Sequence, residues 1–411
     1  MNLARTSSRV AVAQLGARMH YAVPRILEMA GRLECLFTDA FAGKGWLRAL
    51  NYVPLKFQPR LLRKFASRKA DQIPSSRIVA FNSLGWRYWF YLRQARTATE
   101  KAAAHLWAGE EFGRLIRRHG LGSADAIYCF NSSAFALLRF ARSEGIRTIY
   151  EQAIAPVPVQ VSLLQAEQER WPDWEQNKDF AEFYEAFREN EQAEWPLADQ
   201  IVCGSEFVRT CIAQVGGPAE RTVMVPYGTD VVMSGEERIG YKLGPLRVLT
   251  VGTVCLRKGA PYVLQCAKQM HGRAEFRWAG LIEVTPAAER ALRGRVTLLG
   301  NIPRAELAAQ FGWADVFLLP SICEGSATAT YEALSAGLPV IATANTGSPV
   351  RHGEDGFIVP IRNPDAIVKT LERLLADPAL LEAMKANARN RRSDLSIVAY
   401  GRRLLAALDT G

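Results

Sequence analysis

The chain contains the stretch Val316-Phe-Leu-Leu-Pro-Ser-Ile-Cys-Glu324-Gly-Ser-Ala-Thr-Ala-Thr-Tyr-Glu332-Ala-Leu-Ser-Ala-Gly-Leu-Pro-Val-Ile-Ala342. Its apolar runs and small residues predict, in order, a strand, a loop, a helix, a tight turn and a second strand. Glu324 precedes the predicted helix and Glu332 lies about one turn inside it, so the two carboxylates can contact different parts of one ligand. The loop Gly325-Ser-Ala-Thr328 has no large side chain, which lets backbone N–H groups reach an anion at the positive end of the helix.

Strand and helix patterns alternate along nearly the whole chain. The predicted strands cover residues 9–15, 34–37, 77–81, 126–130, 147–150, 200–203, 247–251, 275–278, 296–298, 316–319 and 340–342. Amphipathic helix patterns in the second half cover residues 260–270, 304–312, 328–336 and 365–376. This alternation is typical of parallel sheets covered by helices on both faces, so the predicted fold class is α/β.

The length of 411 residues predicts two or three domains, and we assume two. The seam is predicted between Asp230 and Gly244, where glycine-rich and charged segments interrupt both periodicities. The domains would then cover residues 1–235 and 240–385, each with its own strand–helix series. Two doubly wound, Rossmann-like domains would face each other across a central cleft, into which the carboxyl ends of both sheets open.

The charge of the chain is uneven. The formal net charge is +10, yet residues 1–118 contain 21 Lys and Arg against 7 Asp and Glu. A basic first quarter predicts an anionic partner, which could be nucleic acid, an acidic membrane surface or a phosphorylated substrate. Nucleic acid is not expected, because the chain has no recognisable binding module. The most basic stretch, 42–76, is interleaved with aromatic and leucine residues, and it is either a solvated helix face or a membrane contact.

The seven cysteines are scattered and form no C-x-x-C pair, which predicts buried free thiols in a reducing compartment. No set of His, Cys and carboxylates has metal-ligand spacing. No export signal is apparent, and no apolar stretch reaches the ~18–20 residues needed to cross a bilayer. We therefore expect a cytoplasmic protein, either soluble or peripheral on the inner face of the membrane.

A second candidate segment is Val251-Gly-Thr-Val-Cys-Leu-Arg257-Lys258-Gly259, where a strand ends in a loop and Arg-Lys-Gly opens the next helix. Taken alone, this segment is equally well a solvated basic turn. Glu324 could likewise be only a helix cap, and Glu332 a solvated helix residue. The order in which these segments follow one another decides between the two interpretations.

Together the segments resemble the retaining nucleotide-sugar glycosyltransferases of family 4, the glycosyltransferase group 1 enzymes, which have the GT-B fold. The resemblance covers residues 200–360 well and the N-terminal half only in outline. The matching pieces are Ser205-Glu-Phe-Val-Arg209, Val225-Pro-Tyr-Gly-Thr-Asp230, Arg257-Lys258-Gly259, Leu298-Leu-Gly-Asn-Ile-Pro303, the Glu-x7-Glu segment, and Gly347-Ser-Pro with His352-Gly-Glu-Asp-Gly356.

The resemblance implies transfer of a hexose from a UDP-, GDP- or ADP-sugar to a hydroxyl of a glycan or lipid-linked acceptor, with retained anomeric configuration and without a metal or cofactor. It implies that Lys258 and Arg257 neutralise the leaving diphosphate and that Glu324 contacts the transferred sugar, which makes these three the candidate catalytic residues. The implied donor-binding residues are Glu332 at the ribose, the backbone of Ser326, Ala327 and Thr328 at phosphate and sugar oxygens, Gly300, Asn301 and Ile302 at the base, and also Thr253 and Gly325. Fixed cations and helix amides suit the negative charge that grows on the leaving group.

The chain departs from the family pattern at two points. Thr253 stands where many members have Arg, and Ser326-Ala327 stands where they often have Phe-Gly. Both changes touch the donor phosphate and sugar, so the identity of the donor stays open. The family also implies that the tail, 386–411, packs back toward the N-terminal domain. The alternatives are a catalytically silent nucleotide-sugar or glycan-binding protein of the same fold, or a related nucleotide-sugar epimerase or hydrolase.

The acceptor side is expected in the N-terminal domain. After the first predicted strand, Gly16 would allow close backbone approach, while Arg18 or His20 would face the reacting groups. Asn131 and Glu151 each follow another predicted strand and should face the cleft. The alternative for all five residues is an ordinary turn between a strand and a helix.

Overall fold

The computed structural model describes residues 8–45, 47–48, 65, 68–176, 180–230 and 244–410, and each structural statement below concerns these residues. Residues 231–243 of the predicted seam and much of the basic stretch 42–76 lie outside the described residues. The predicted domain boundaries therefore stay a prediction.

The N-terminal half contains a sheet of seven parallel strands within the described residues, in the order β3-β2-β1-β4-β5-β6-β7. Their bounds are β1 Val10–Gln14, β2 Leu33–Thr38, β3 Ile78–Ala80, β4 Ala126–Phe130, β5 Arg147–Gln152, β6 Gln200–Cys203 and β7 Thr222–Met224. Every position of the central strands β1 and β4 is buried, as in a sheet covered on both faces. The strand order reverses between β1 and β4, so a crevice opens beyond the carboxyl ends of these two strands.

The C-terminal half contains a second parallel sheet, with six described strands in the order β10-β9-β8-β11-β12-β13. The strands are β8 Leu246–Val251, β9 Ala274–Ala279, β10 Val296–Gly300, β11 Val316–Leu319, β12 Val340–Thr343 and β13 Gly356–Val359. Here the order reverses between β8 and β11, which gives the second sheet a crevice of its own.

Helices connect the strands in both halves. Those of the N-terminal half are α1 Ala22–Met29, α2 Asn82–Gln94, α3 Ala98–His119, α4 Phe135–Ser143, α5 Val157–Arg170, α6 Phe180–Glu194 and α7 Glu206–Gln214. Those that follow are α8 Ala260–Gln269, α9 Pro286–Arg293, α10 Arg304–Trp313, α11 Thr328–Ser335, α12 Pro364–Ala376, α13 Pro378–Asn390 and α14 Ile397–Asp409. Side chains of Asn363, Asp377 and Ser396 accept backbone N–H groups at the starts of α12, α13 and α14, which explains why these helices begin where they do. None of the described helices is long and apolar enough to span a membrane.

The last helix, α14, returns to the N-terminal half and lies against α1. Gln200 donates a hydrogen bond of 2.8 Å from its side-chain amide to the carbonyl oxygen of Ala407. Arg32 and Asp409 form an ion pair of 2.7 Å. The end of the described chain is therefore anchored on the first sheet, although α13 just before it belongs to the second half.

The prediction of an α/β fold with two parallel sheets is confirmed, and each predicted strand falls on an observed one. The observed strands β7 and β13 and the helices α9, α13 and α14 were absent from the predictions. The strand β7 has three residues at the edge of its sheet, and β13 has four, so neither is long enough to show a clear periodicity. All seven cysteines are free thiols, six of them buried and Cys35 partly buried, as the spacing predicted.

Candidate active site

A cavity of about 700 Å³ lies between the carboxyl ends of the two sheets. It is lined by Arg18, Met19, Asn131, Ala153, Ile154, Tyr227, Val251, Gly252, Arg257, Lys258, residues 324–329 and Glu332. Most of these residues follow strands β1, β4, β8 and β11, between which the two strand orders reverse. Ligands of open α/β sheets bind at such reversal points, and here two of them face each other.

Glu324 lies at the centre of the C-terminal wall and is paired with two cations. Its Oε1 atom lies 2.7 Å from Nζ of Lys258 and also accepts a hydrogen bond from Nη1 of Arg257. Lys258 and Glu324 are each only 8% exposed. Burial by itself would raise the pKa of Glu324, but the positive charges of Lys258 and Arg257 outweigh it and lower that pKa below its ordinary value. The carboxylate is therefore ionised near neutral pH, and the trio carries one net positive charge.

The loop between Glu324 and α11 touches the N-terminal domain. A Cβ atom at Gly325 would lie 1.8 Å from the carbonyl oxygen of Ala153 after β5, so only glycine fits at this contact. The hydroxyl of Ser326 lies 2.8 Å from that of Tyr331 and donates to the carbonyl oxygen of Gly347. The small residues of the loop thus allow the two domains to approach closely beside the cavity.

The backbone N–H groups of this loop are not all available to a ligand. Ala327 donates its N–H to the carbonyl oxygen of Thr346 at 3.1 Å, and Glu324 donates its own to Asn345 at 3.0 Å. An anion at the start of α11 would have to be held by other N–H groups of the loop or of the first helical turn.

Glu332 lines the same cavity from inside α11. Burial raises its pKa above that of an ordinary glutamate, although the positive charge of Arg304 opposes the shift. A carboxylate of this kind gains from any ligand hydroxyl that replaces the water it has lost.

The N-terminal wall is built around Arg18 and Glu151. The Nε atom of Arg18 lies 3.5 Å from Oε1 of Glu151, and that same oxygen accepts a hydrogen bond of 2.7 Å from the hydroxyl of Tyr227. The hydroxyl of Tyr128 donates to the other carboxylate oxygen. Glu151 is almost fully buried and lines no part of the cavity, whereas Arg18 does. The carboxylate therefore acts as a support that holds the guanidinium at the cavity wall.

The turn from β1 into α1 is strained. Residues 19–21 are not glycine, yet their φ angles are 46, 52 and 60°. Left-handed conformations of this kind cost about 1–3 kcal/mol each and persist only where the surroundings hold them. The side-chain amide of Gln14 donates to the carbonyl oxygens of Gly16 and Arg18 and holds the turn in place. This turn brings Arg18 to the cavity.

The structure brings most of the predicted site residues together at this cavity. Those that line it are Arg18, Asn131, Arg257, Lys258, Glu324, Gly325, Ser326, Ala327, Thr328 and Glu332. Glu151 lies behind the wall, as described above. Gly16 lies in the strained turn, where its N–H donates to Oδ1 of Asp39 at 2.8 Å. His20 is exposed, close enough to Arg304, Arg25 and Asp230 to feel their charges.

The four remaining predicted donor residues do not line the cavity. Thr253 directly follows Gly252, which does line the cavity. Gly300 ends β10, and Asn301 and Ile302 follow it; β10 is two strands from β8 at the edge of the sheet. Neighbouring strands are about 4.8 Å apart, so these three residues lie about 10 Å farther along the same carboxyl edge. Their assigned roles stay predictions.

Sequence reasoning missed several residues of the wall, among them Met19, Ile154 and Tyr227. The first two carry no chemical signal, because any apolar side chain could line the wall at those points. Tyr227 stands in the quoted Val225–Asp230 segment but was given no role. Its buried hydroxyl beside Glu151 and Arg18 was not foreseeable, since the three residues come from distant parts of the chain.

A second cavity, of about 350 Å³, adjoins the first on the N-terminal side. Arg18, Asn131 and Ile154 line both. The walls that belong to the second cavity alone include Tyr88, His105, Phe130, Ser133, Gln160 and Phe187. The hydroxyl of Tyr88 is hydrogen-bonded to the ring of His105, and burial lowers the pKa of that imidazole. Aromatic surfaces with a few polar groups of this kind are suited to a sugar ring.

Residues 236–391 match the family model of the glycosyl transferases group 1. The amylovoran biosynthesis glycosyltransferase AmsK of Erwinia amylovora is 29% identical over 181 residues, which are 39% of this chain and 43% of that protein. The GDP-mannose-dependent alpha-(1-6)-phosphatidylinositol monomannoside mannosyltransferase of Mycobacterium tuberculosis is 27% identical over 216 residues, 46% of this chain and 56% of that protein. These alignments span about half the length of the curated relatives.

The fold is similar to that of solved glycosyltransferases over nearly the whole chain. The crystal structure of Anabaena Alr3699/HepE in complex with UDP has a TM-score of 0.65 and 15% identity, and the match covers 98% of this chain and 100% of that one. The architecture is therefore that of the GT-B class, with two Rossmann-like halves around a cleft. Within this fold, the similarity to the glycosyl transferases group 1 family lies in the C-terminal half, over residues 236–391.

Proposed function

We propose that this protein is a glycosyltransferase that moves a hexose from a nucleotide diphosphate sugar to a hydroxyl of a glycan or lipid-linked acceptor. The observation that carries the proposal is the trio of buried Glu324, buried Lys258 and partly buried Arg257 at the strand-order reversal of the C-terminal sheet, which faces that of the N-terminal sheet. Two comparisons support a nucleotide-sugar donor: the mycobacterial relative is named as GDP-mannose-dependent, and the Anabaena structure holds UDP.

The charges of the trio suit the chemistry of the transfer. Breaking the bond between the sugar and the phosphate builds negative charge on the leaving diphosphate and positive charge on the sugar ring. Arg257 and Lys258 would take the diphosphate, because fixed cations in a partly buried site stabilise such charge strongly. Glu324 would then share its partners with the ligand and accept hydrogen bonds from hydroxyls of the transferred sugar. Glu332 would accept hydrogen bonds from the hydroxyls of the ribose.

We propose further that the transfer needs no metal and retains the anomeric configuration. The two cations supply the charge that a divalent ion would otherwise bring to the diphosphate. Retention follows the family pattern, in which the acceptor attacks from the face that the phosphate leaves. Arg18 and Asn131, which line both cavities, would orient the acceptor there, with its ring in the second cavity.

The helix α2 supports a peripheral position on an anionic membrane, which the cytoplasmic face would provide. Trp86, Phe90 and Tyr91 are 39%, 45% and 37% exposed. Arg87 and Arg93 on the same helix lie over the rings of other tryptophans. An exposed aromatic surface next to basic side chains is suited to the interface of an acidic bilayer. Since Tyr88 of α2 lines the second cavity, a lipid-linked acceptor could reach that cavity from the membrane surface.

A donor screen tests the catalytic proposal directly. The protein is incubated with UDP-, GDP- and ADP-hexoses and a mixture of glycan and lipid-linked acceptors, and nucleotide release and thermal shifts are measured. We expect one nucleotide class to bind and to be released in an acceptor-dependent way. Absence of binding to every nucleotide would overturn the proposal, whereas binding without any transfer would favour a silent binding protein of the same fold.

Flotation with vesicles tests the membrane proposal. The protein should float with vesicles that contain phosphatidylglycerol and less well with purely zwitterionic ones. A variant with Trp86, Phe90 and Tyr91 changed to Ser should lose flotation while it keeps donor binding. Equal flotation of this variant and of the wild type would contradict a role for α2.

A further inference from the structure

The connection between β5 and β6 crosses from the N-terminal half to the C-terminal half and back. Its first helix, α5, starts beside the cleft, and residues 163–175 lie against the C-terminal half. We call residues 157–175 the clasp. Its return helix, α6, contacts α3 of the N-terminal half. The clasp therefore joins the two halves at a place separate from α14.

The middle of the clasp is anchored by a buried carboxylate. Glu167 is 0% exposed and forms an ion pair with Arg362, which follows β13. The hydroxyl of Tyr262 on α8 donates to the other oxygen of Glu167 at 2.8 Å, and Arg362 also donates to the carbonyl oxygen of Leu163 at 3.2 Å. A buried carboxylate that loses such partners is costly, so these contacts hold α5 against the C-terminal half.

The end of the clasp docks by its backbone and by aromatic rings. Trp174 packs against the hydrophobic core of the C-terminal half. The N–H of Thr285 donates to the carbonyl oxygen of Trp174 at 2.8 Å, and the indole N–H of Trp171 donates to the hydroxyl of Tyr262 at 3.3 Å. These contacts fix the position of Glu175, which comes next in the chain.

Glu175 reaches the turn that holds the two candidate phosphate-binding cations. Its Oε1 atom accepts a hydrogen bond of 2.6 Å from the N–H of Leu256, the first residue of the 3₁₀ helix Leu256–Lys258. The preceding residue, Cys255, provides no side-chain cap. The cap of the Arg257–Lys258 turn therefore comes from the other half of the molecule, and the capping carboxylate is itself buried.

We propose that Glu175 is a positioning residue for the donor diphosphate and that the clasp transmits the state of the N-terminal half to the donor site. The helix α5 has 14 residues, so it spans about 21 Å. Val157 and Gln160 at its start line the second cavity, and the segment after its end carries the cap of the cationic turn. A group that enters the second cavity and shifts α5 will move that cap. This inference rests on the proposed function for the identity of the diphosphate.

Nucleotide affinity provides the first test. Glu175→Ala should weaken binding of UDP or GDP, whichever the wild type binds, by about tenfold, since it removes a hydrogen bond to a charged group. Binding of the matching monophosphate should change by less than about twofold, because a monophosphate depends less on the cationic turn. Glu175→Gln should restore part of the affinity. Glu169→Ala, which removes an exposed carboxylate elsewhere in the clasp, at the end of α5, is the matched control and should leave both affinities unchanged.

Hydrogen exchange provides a test that needs no ligand. Backbone amides of residues 255–260 should exchange about tenfold faster in Glu175→Ala than in the wild type and in Glu169→Ala. Unchanged exchange there, or equal losses of diphosphate and monophosphate binding, would overturn the inference while the proposed function stands. If the wild type binds no nucleotide but exchange still rises, the proposed function fails and the positioning of the turn by Glu175 stands.

Discussion

The two walls of the cavity each contain a buried carboxylate, and the surroundings of these carboxylates differ. Glu324 is shared between two cations that both line the cavity, so its wall carries a net positive charge. Glu151 has one cation, Arg18, and two tyrosine hydroxyls, and it lies behind its wall. The C-terminal wall can therefore bind a dianion. The N-terminal wall is electrically balanced and presents a single guanidinium, that of Arg18, to the cavity. On this difference we base the proposal that the donor lies at one wall and the acceptor at the other.

The largest effect is expected from the cationic wall. Lys258→Ala should lower kcat about 10²–10³-fold, because one of the two charges that meet the leaving diphosphate is lost. Initial rates at saturating donor measure this change. Lys268→Ala, on an exposed position of the following helix, should leave kcat unchanged. Equal rates for wild type and Lys258→Ala would show that the positive charge of the C-terminal wall does not contribute to catalysis.

Substitutions in the N-terminal wall should change the stability of the protein as well as its activity. Glu151→Gln leaves the partly exposed Arg18 guanidinium without its buried counter-charge and should lower the free energy of unfolding by about 1 kcal/mol, with about a tenfold loss of kcat. Chemical denaturation and initial rates measure the two effects. The double variant Arg18→Gln/Glu151→Gln should regain most of the stability but not the activity. Additive stability losses in the double variant would show that the two residues are not coupled.

Glu332 should make donor binding depend on pH. Burial raises the pKa of Glu332, so its carboxylate becomes protonated at a higher pH than an ordinary glutamate does. The protonated form can no longer accept hydrogen bonds from two ribose hydroxyls. Nucleotide affinity should therefore fall as the pH is lowered through this raised value. Glu332→Gln should flatten the profile and reduce the preference for the ribonucleotide over its 2′-deoxy form by about tenfold. Calorimetric titration across the pH range measures both, and an unchanged preference would place the ribose elsewhere.

The smallest effect is expected on removal of metal ions. In the proposed mechanism Arg257 and Lys258 meet the diphosphate, so EDTA should change the initial rate by less than about twofold. A loss of activity that Mg²⁺ or Mn²⁺ restores would show that the positive wall is not sufficient by itself. Rates with and without the chelator, each repeated with Lys258→Ala, separate the contribution of an ion from that of the lysine.

The two walls also differ in how well they could be predicted. The C-terminal wall follows from short segments: the Glu-x7-Glu spacing places Glu324 and Glu332 around the start of one helix, and Arg257-Lys258-Gly259 follows one strand. The N-terminal wall joins residues far apart in the chain. Arg18 lines the cavity, whereas Glu151 is a buried support behind the wall. His20 is exposed because the chain after β1 makes a strained turn that no local pattern reveals.

The sequence by itself determined the α/β class and the alternation of strands and helices, because these depend on periodicity, and its resemblance to the family pointed to most residues of the C-terminal wall, because they lie in short segments. Only the tertiary structure decided which carboxylates are buried, which cation each one meets, and that Glu175 of one half caps a turn of the other. Such contacts depend on the way two separately wound sheets face each other. The Glu324 trio was thus predictable in its members but not in its pairing, since the ion pairs form only when β8 and β11 lie side by side.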